Sequence, residues 1–132
     1  MKIVINVCHG GFGLSEEAIE RYIDLRGLCL YKDYDSTWKT NSYYTVPVAQ
    51  FKEAHKQDKK DGGYYKSNAL TWSHYDIERN DPLLVQVVEE MGENASNRYS
   101  KLKVVEIPDD VEWQIDEYDG AEWVAEKHRT WC

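Results

Sequence analysis

The stretch IVINVCHGGFGLSEEAIERYIDLRG, residues 3–27, decides how the chain begins to fold. Ile3, Val4, Ile5 and Val7 are β-branched and nearly continuous, the pattern of a strand buried on both faces. A glycine loop follows, Cys8-His9-Gly10-Gly11-Phe12-Gly13, and then a helical stripe of Ala18, Ile19, Tyr22, Ile23 and Leu25. Ser15 has the chemistry of an N-cap, Leu14 and Ile19 stand at staple positions, and Gly27 suits the residue just past the helix end. Leu28-Cys29-Leu30-Tyr31 reads as a second strand, so an N-terminal, right-handed βαβ unit is expected. Ligands of such units collect at the carboxyl ends of strands, beside a helix N-terminus.

Further along, Asp81 can cap a helix that starts at Pro82 and turns Leu83, Leu84, Val87, Val88 and Met91 to one side, with Gly92 at its end. Leu102–Ile107 (LKVVEI) reads as a strand stopped by Pro108. Val111, Trp113 and Ile115 alternate with polar residues, and Asp119-Gly120 is a hairpin dipeptide. The return from Glu122 to Trp131 fits a strand or a terminal helix. Between the two ends lies an aromatic-rich insertion at about 32–70. It reads as a loop at 32–41, a strand at Ser42–Val46 and a helix from Pro47 carrying Val48, Phe51 and Ala54. The expected architecture is a single α/β domain spanning 1–132, with a small mixed sheet, the N-terminal βαβ unit and a C-terminal β-hairpin.

A chain of 132 residues with ten tyrosines, five tryptophans and two phenylalanines can build one core without metals or disulfides. Three widely spaced cysteines, Cys8, Cys29 and Cys132, form no C-x-x-C pair, which points to a reducing compartment and away from structural zinc. No run is long enough for a membrane helix and no signal peptide opens the chain. The net charge of −8 is uneven: nine acids lie between Glu106 and Glu126, against only Lys127 and Arg129 nearby. Such a balance disfavours binding to a nucleic-acid polymer, which needs clustered cations. The acidic run reads as a solvated face or as a surface for a basic partner.

Four segments resemble a family of small, largely uncharacterised proteins encoded by bacterial viruses: NVCHGGFGLSEEA at 6–18, RNDPLLVQVVEEMG at 79–92, LKVVEIPDDVEW at 102–113 and EKHRTW at 126–131. The resemblance covers somewhat over a third of the chain, and it implies a protein made in the cytoplasm of an infected bacterium. It carries no established activity.

The glycine loop offers the first candidate site. Gly10, Gly11 and Gly13 can bring backbone N–H groups close to a phosphate at the helix start, or can simply make a tight turn. The pattern is neither G-x-x-x-x-G-K-[ST] nor a spaced G-x-G-x-x-G. Cys8 sits at the strand end with His9 beside it, yet neighbours in a strand point to opposite faces, and a buried structural thiol is the favoured reading. Arg79 can fork onto a phosphate, or onto Glu78 or the acidic C-terminal segment. His128, Arg129 and Trp131 suit stacking on a base and pairing with a phosphate, although Trp131 also suits the core. No paired carboxylates, H-E-x-x-H or Ser-His-Asp pattern stands out, so no catalytic residue, metal site or cofactor is expected.

Taken with the resemblance, these residues lead to one expectation. The chain binds a small nucleotide-derived signal, of the cyclic nucleotide or cyclic ADP-ribose type, and sequesters it from host defence. The ligand site is then Cys8, His9, Gly10, Gly11, Phe12, Gly13, Arg79, His128, Arg129 and Trp131, with a homo-oligomer allowed. The alternative is a protein-binding inhibitor that uses the acidic C-terminal segment as a decoy surface. A hydrolase of the same signal is the weaker third.

Overall fold

The computed structural model describes residues 1–62 and 66–127, and these form an α/β protein. They divide into two compact units, Met1–Arg26 with the chain from Ile77 onward, and Gly27–Asp76.

In the first unit, β1 (Lys2–Asn6) is central and its Ile3, Val4 and Ile5 are almost completely buried. Helix α1 (Glu16–Arg26) begins where expected, with the Ser15 hydroxyl accepting the Ala18 N–H at 3.1 Å. Ala18, Ile19, Tyr22 and Ile23 are its buried stripe, and Leu14 and Ile19 are both buried as a staple requires. The helix after Asp81, here α3 (Pro82–Met91), is capped by the Asp81 carboxylate on the Leu83 N–H at 2.9 Å and buries Leu84, Val85, Val87 and Val88. The two helices are tied by Tyr22, whose hydroxyl donates to Asp81 at 2.7 Å, and by Arg26, which pairs with the same carboxylate.

The strand order β–α–β is present, but the parallel crossover is not. The partner of β1 is β5 (Leu102–Glu106), antiparallel, with Val4 opposite Val104. The other edge of β1 is already filled: the Val4 N–H donates to the Arg79 carbonyl at 2.8 Å and the Asn6 N–H to the Glu122 carboxylate at 2.8 Å. No room is left there for a parallel strand. The strand expected at Leu28–Tyr31 instead starts at Tyr31 and turns back on its own neighbour. The hairpin forms as expected, from β6 (Trp113–Tyr118) and β7 (Ala121–Glu126), so the described part of the return is strand rather than helix. Asp119 and Gly120 both have positive φ, +50° and +88°, as a tight two-residue hairpin turn demands.

In the second unit β2 (Tyr31–Asp35), β3 (Thr40–Tyr44) and β4 (Thr71–Trp72) form an antiparallel sheet in that order. The first of these replaces the loop expected at 32–41, because Asp35 caps the turn: its carboxylate accepts the N–H groups of Thr37 and Trp38. Tyr44 stacks on Phe51 of α2 (Val48–Lys60) with ring centroids 4.1 Å apart. Every strand ladder among the described residues is antiparallel, in three small sheets. Among the described residues, no helix is long and apolar enough to cross a membrane.

Candidate functional site

Three loops of the first unit meet at the carboxyl end of β1. They are the glycine loop at 8–13, the loop at 96–101 and the hairpin turn at 118–120. One side chain joins all three. Asn6 is fully buried, and its amide nitrogen donates to the carbonyls of Cys8 (2.7 Å) and Gly120 (2.8 Å). Its amide oxygen accepts from the Lys101 N–H (2.8 Å) and the Cys8 thiol (3.3 Å). All four positions of the amide are thus engaged, which a buried amide requires.

The glycines serve this meeting point. A Cβ at Gly10 would overlap the Tyr99 carbonyl, and one at Gly13 would overlap the Asn97 side-chain amide. On the hairpin side, a Cβ at Gly120 would lie 2.6 Å from the His9 carbonyl and 2.8 Å from the Gly11 nitrogen. Of the four glycines at this meeting point, Gly11 alone has open space, with a φ of +89°. Close approach is therefore real at three positions, and what approaches is the protein's own chain. The helix start is likewise occupied: Ser15 caps Ala18, its hydroxyl donates to the Asn94 carbonyl at 2.6 Å, and Glu16 and Glu17 put negative charge in the first turn. That charge opposes an anion at the same place.

Arg79 takes the carboxylate option. Its two terminal nitrogens reach the two oxygens of Glu122 at 2.7 and 2.9 Å, a fork on a side chain that is only 6% exposed. The same guanidinium donates to the Val4 carbonyl at 3.2 Å and lies 3.5 Å over the Phe12 ring. Cys8 is half-buried, and its single thiol hydrogen is shared between the Tyr99 carbonyl at 3.1 Å and the Asn6 amide oxygen at 3.3 Å. His9 is exposed and its Nδ1 faces the Asp119 carbonyl at 3.2 Å. The two side chains therefore answer to different partners. Cys8, His9, Gly10, Gly11, Phe12, Gly13 and Arg79 do gather at one corner; His128, Arg129 and Trp131 lie outside the described residues. No group of three or more His, Cys, Asp or Glu side chains among the described residues is arranged to hold a metal.

Sequence reasoning missed Asn6 and counted Glu122 with Glu112, Asp116 and Glu117 in the acidic decoy surface, whereas its carboxylate is turned inward onto Arg79. Both carried a signal. Asn6 is the polar break in a strand read as buried on both faces, and a buried polar group must find partners. Glu122 shares its strand face with Val124, so an inward carboxylate there needed a cation, and Arg79 supplies it.

Beside the glycine loop lies a cleft of about 520 Å³ lined by Gly92, Glu93, Ser96, Asn97, Ser100, Lys101 and Leu102. It has no aromatic wall and one cation. The hairpin presents a different surface. Gln114, Asp116, Tyr118, Ala121, Trp123 and Ala125 share the face opposite Glu122, with Tyr118 74% and Trp123 48% exposed. Glu112 and Asp119 are exposed beside it, Glu117 and Glu126 are exposed on the Glu122 side, and among the described residues none of these acids is in an ion pair. No protein-family model, curated protein or solved structure matches this chain.

Proposed function

We propose that this chain is a binding protein whose acidic, aromatic hairpin docks on a basic protein surface. The carrying observation is the contrast between the two faces of β6–β7. One is locked inward by the Glu122–Arg79 fork, and the other shows Tyr118 and Trp123 beside Asp116 and Glu112, neither of them in an ion pair among the described residues. Exposed aromatic side chains are the usual anchors of protein interfaces, and unpaired charges steer a partner of opposite sign. Under the resemblance to proteins of bacterial viruses, the partner is a protein of the infected host and docking inhibits it.

The test uses Glu112→Lys, Asp116→Lys and Trp123→Ala combined, all on the face away from the Arg79 fork. Immobilised wild type should retain basic proteins from a bacterial extract at low salt, and both 0.5 M salt and the triple variant should release them. Equal retention of the same proteins by a folded triple variant overturns the reading.

The sequestration of a nucleotide-derived signal keeps one supporting observation, the polar cleft with Lys101 beside the glycine loop. Calorimetric titration with cyclic dinucleotides and cyclic ADP-ribose isomers tests it. Binding that Lys101→Ala weakens would favour this second reading, and no heat from any of these compounds would end it.

A further inference from the structure

The base of the hairpin holds a second feature, an apolar groove of about 240 Å³ lined by Ile107, Pro108, Val111, Trp113, Val124 and Ala125, with Glu126 at its edge. Its volume matches one large side chain. Val111, Trp113, Ile115 and Val124 are all only half-buried, although a two-stranded hairpin gains its stability from covering such residues. The rim is acidic. Asp110, Glu112 and Glu126 are exposed around the groove, and among the described residues none is in an ion pair.

An apolar slot for one side chain, with Glu126 at its edge and Asp110 and Glu112 flanking Val111 against the single neighbouring cation Lys127 among the described residues, has a net acidic border. We infer that the groove takes a single aromatic or aliphatic anchor flanked by lysine or arginine in the partner protein. This rests on the reading of the hairpin as a basic-partner surface, and it adds a recognition element at the hairpin base, lined mainly from the face that carries Glu122 rather than the one that carries Tyr118 and Trp123. The anchor supplies burial and the flanking cations meet Glu112, Glu126 and Asp110. Affinity then comes mainly from the anchor, while the cations govern encounter and salt dependence.

Two labelled peptides, KRWRK and KRARK, test it by fluorescence anisotropy against the full chain. The tryptophan peptide should bind at least tenfold more tightly. Val111→Asp should remove that preference while both peptides keep a common, salt-sensitive affinity, and Val111→Ser should reduce it if the aspartate variant misfolds. Glu112→Lys with Glu126→Lys should weaken both peptides alike. Equal binding of the two peptides, still salt-sensitive, overturns the groove and leaves the broader reading standing. No salt-sensitive binding of either peptide overturns both. A preference that survives in folded Val111→Asp and Val111→Ser overturns the groove as the anchor's seat. So does a dimer that the tryptophan peptide dissociates, since the occupant is then a second copy.

Discussion

The glycine-loop corner and the outer face of the hairpin are both rich in polar groups, and they use them in opposite ways. At the corner, the Asn6 amide, the Arg79 guanidinium and the Glu122 carboxylate all turn inward and satisfy one another or the backbone. On the hairpin, Glu112, Glu117 and Glu126 are exposed and pair with no cation among the described residues. The lesson is that the glycine-rich word, which looks like a binding motif, works as an assembly joint. The plain acidic run is the surface left available.

The contrast breaks first at the buried fork. Glu122→Ala strands the Arg79 charge and leaves the Asn6 N–H without its acceptor, and should cost about 3–5 kcal/mol in urea unfolding. Asn6→Ala should follow at about 2–3 kcal/mol, since it leaves the Lys101 N–H and two carbonyls without partners. A loss under 1 kcal/mol for both would show that the corner does not hold the unit together.

Next come the glycines. Gly10→Ala must displace the Tyr99 backbone and should cost about 1–3 kcal/mol. Gly11→Ala meets nothing within 4 Å, so only its positive φ matters, and about 1 kcal/mol is expected. Equal costs in thermal melts would contradict a corner built on close approach.

Acid should loosen the clasp between α1 and α3. Burial opposes ionisation of Asp81, but the Tyr22 hydroxyl, the Leu83 N–H and Arg26 together hold its pKa below the ordinary aspartate value. A depressed carboxylate stabilises the fold above its unfolded pKa, about 3.9, and that contribution is lost as pH falls through the folded value. Asp81→Asn should therefore flatten the decline in stability below about pH 4. An unchanged acid limb in that variant would remove Asp81 from the account.

The smallest effects belong to the outer face. Glu112→Lys and Asp116→Lys should each change stability by less than about 0.5 kcal/mol while altering partner binding. A large loss of stability from either would mean that the outer face is structural too.

Much of this was legible in the sequence, for local reasons. The Ser15 and Asp81 caps, the stripe of α1 and the Asp119-Gly120 turn each depend on residues within a few positions of one another. What was not legible depends on distant partners. The antiparallel match of β1 with β5 joins residues about a hundred positions apart, and it displaced the local βαβ expectation. Arg79 was read with two open fates, and Glu122, 43 positions away, decided between them. The strand at Tyr31–Asp35 was missed because its polar alternation reads as a loop until Asp35 is seen capping the turn.

The most direct test of the central claim is a backbone amide shift map of the full chain titrated with KRWRK. The account predicts movement along the hairpin from Val111 to Glu126 and still signals at Gly10, Gly11 and Gly13. Shifts concentrated on those glycines, with the hairpin unmoved, would contradict it.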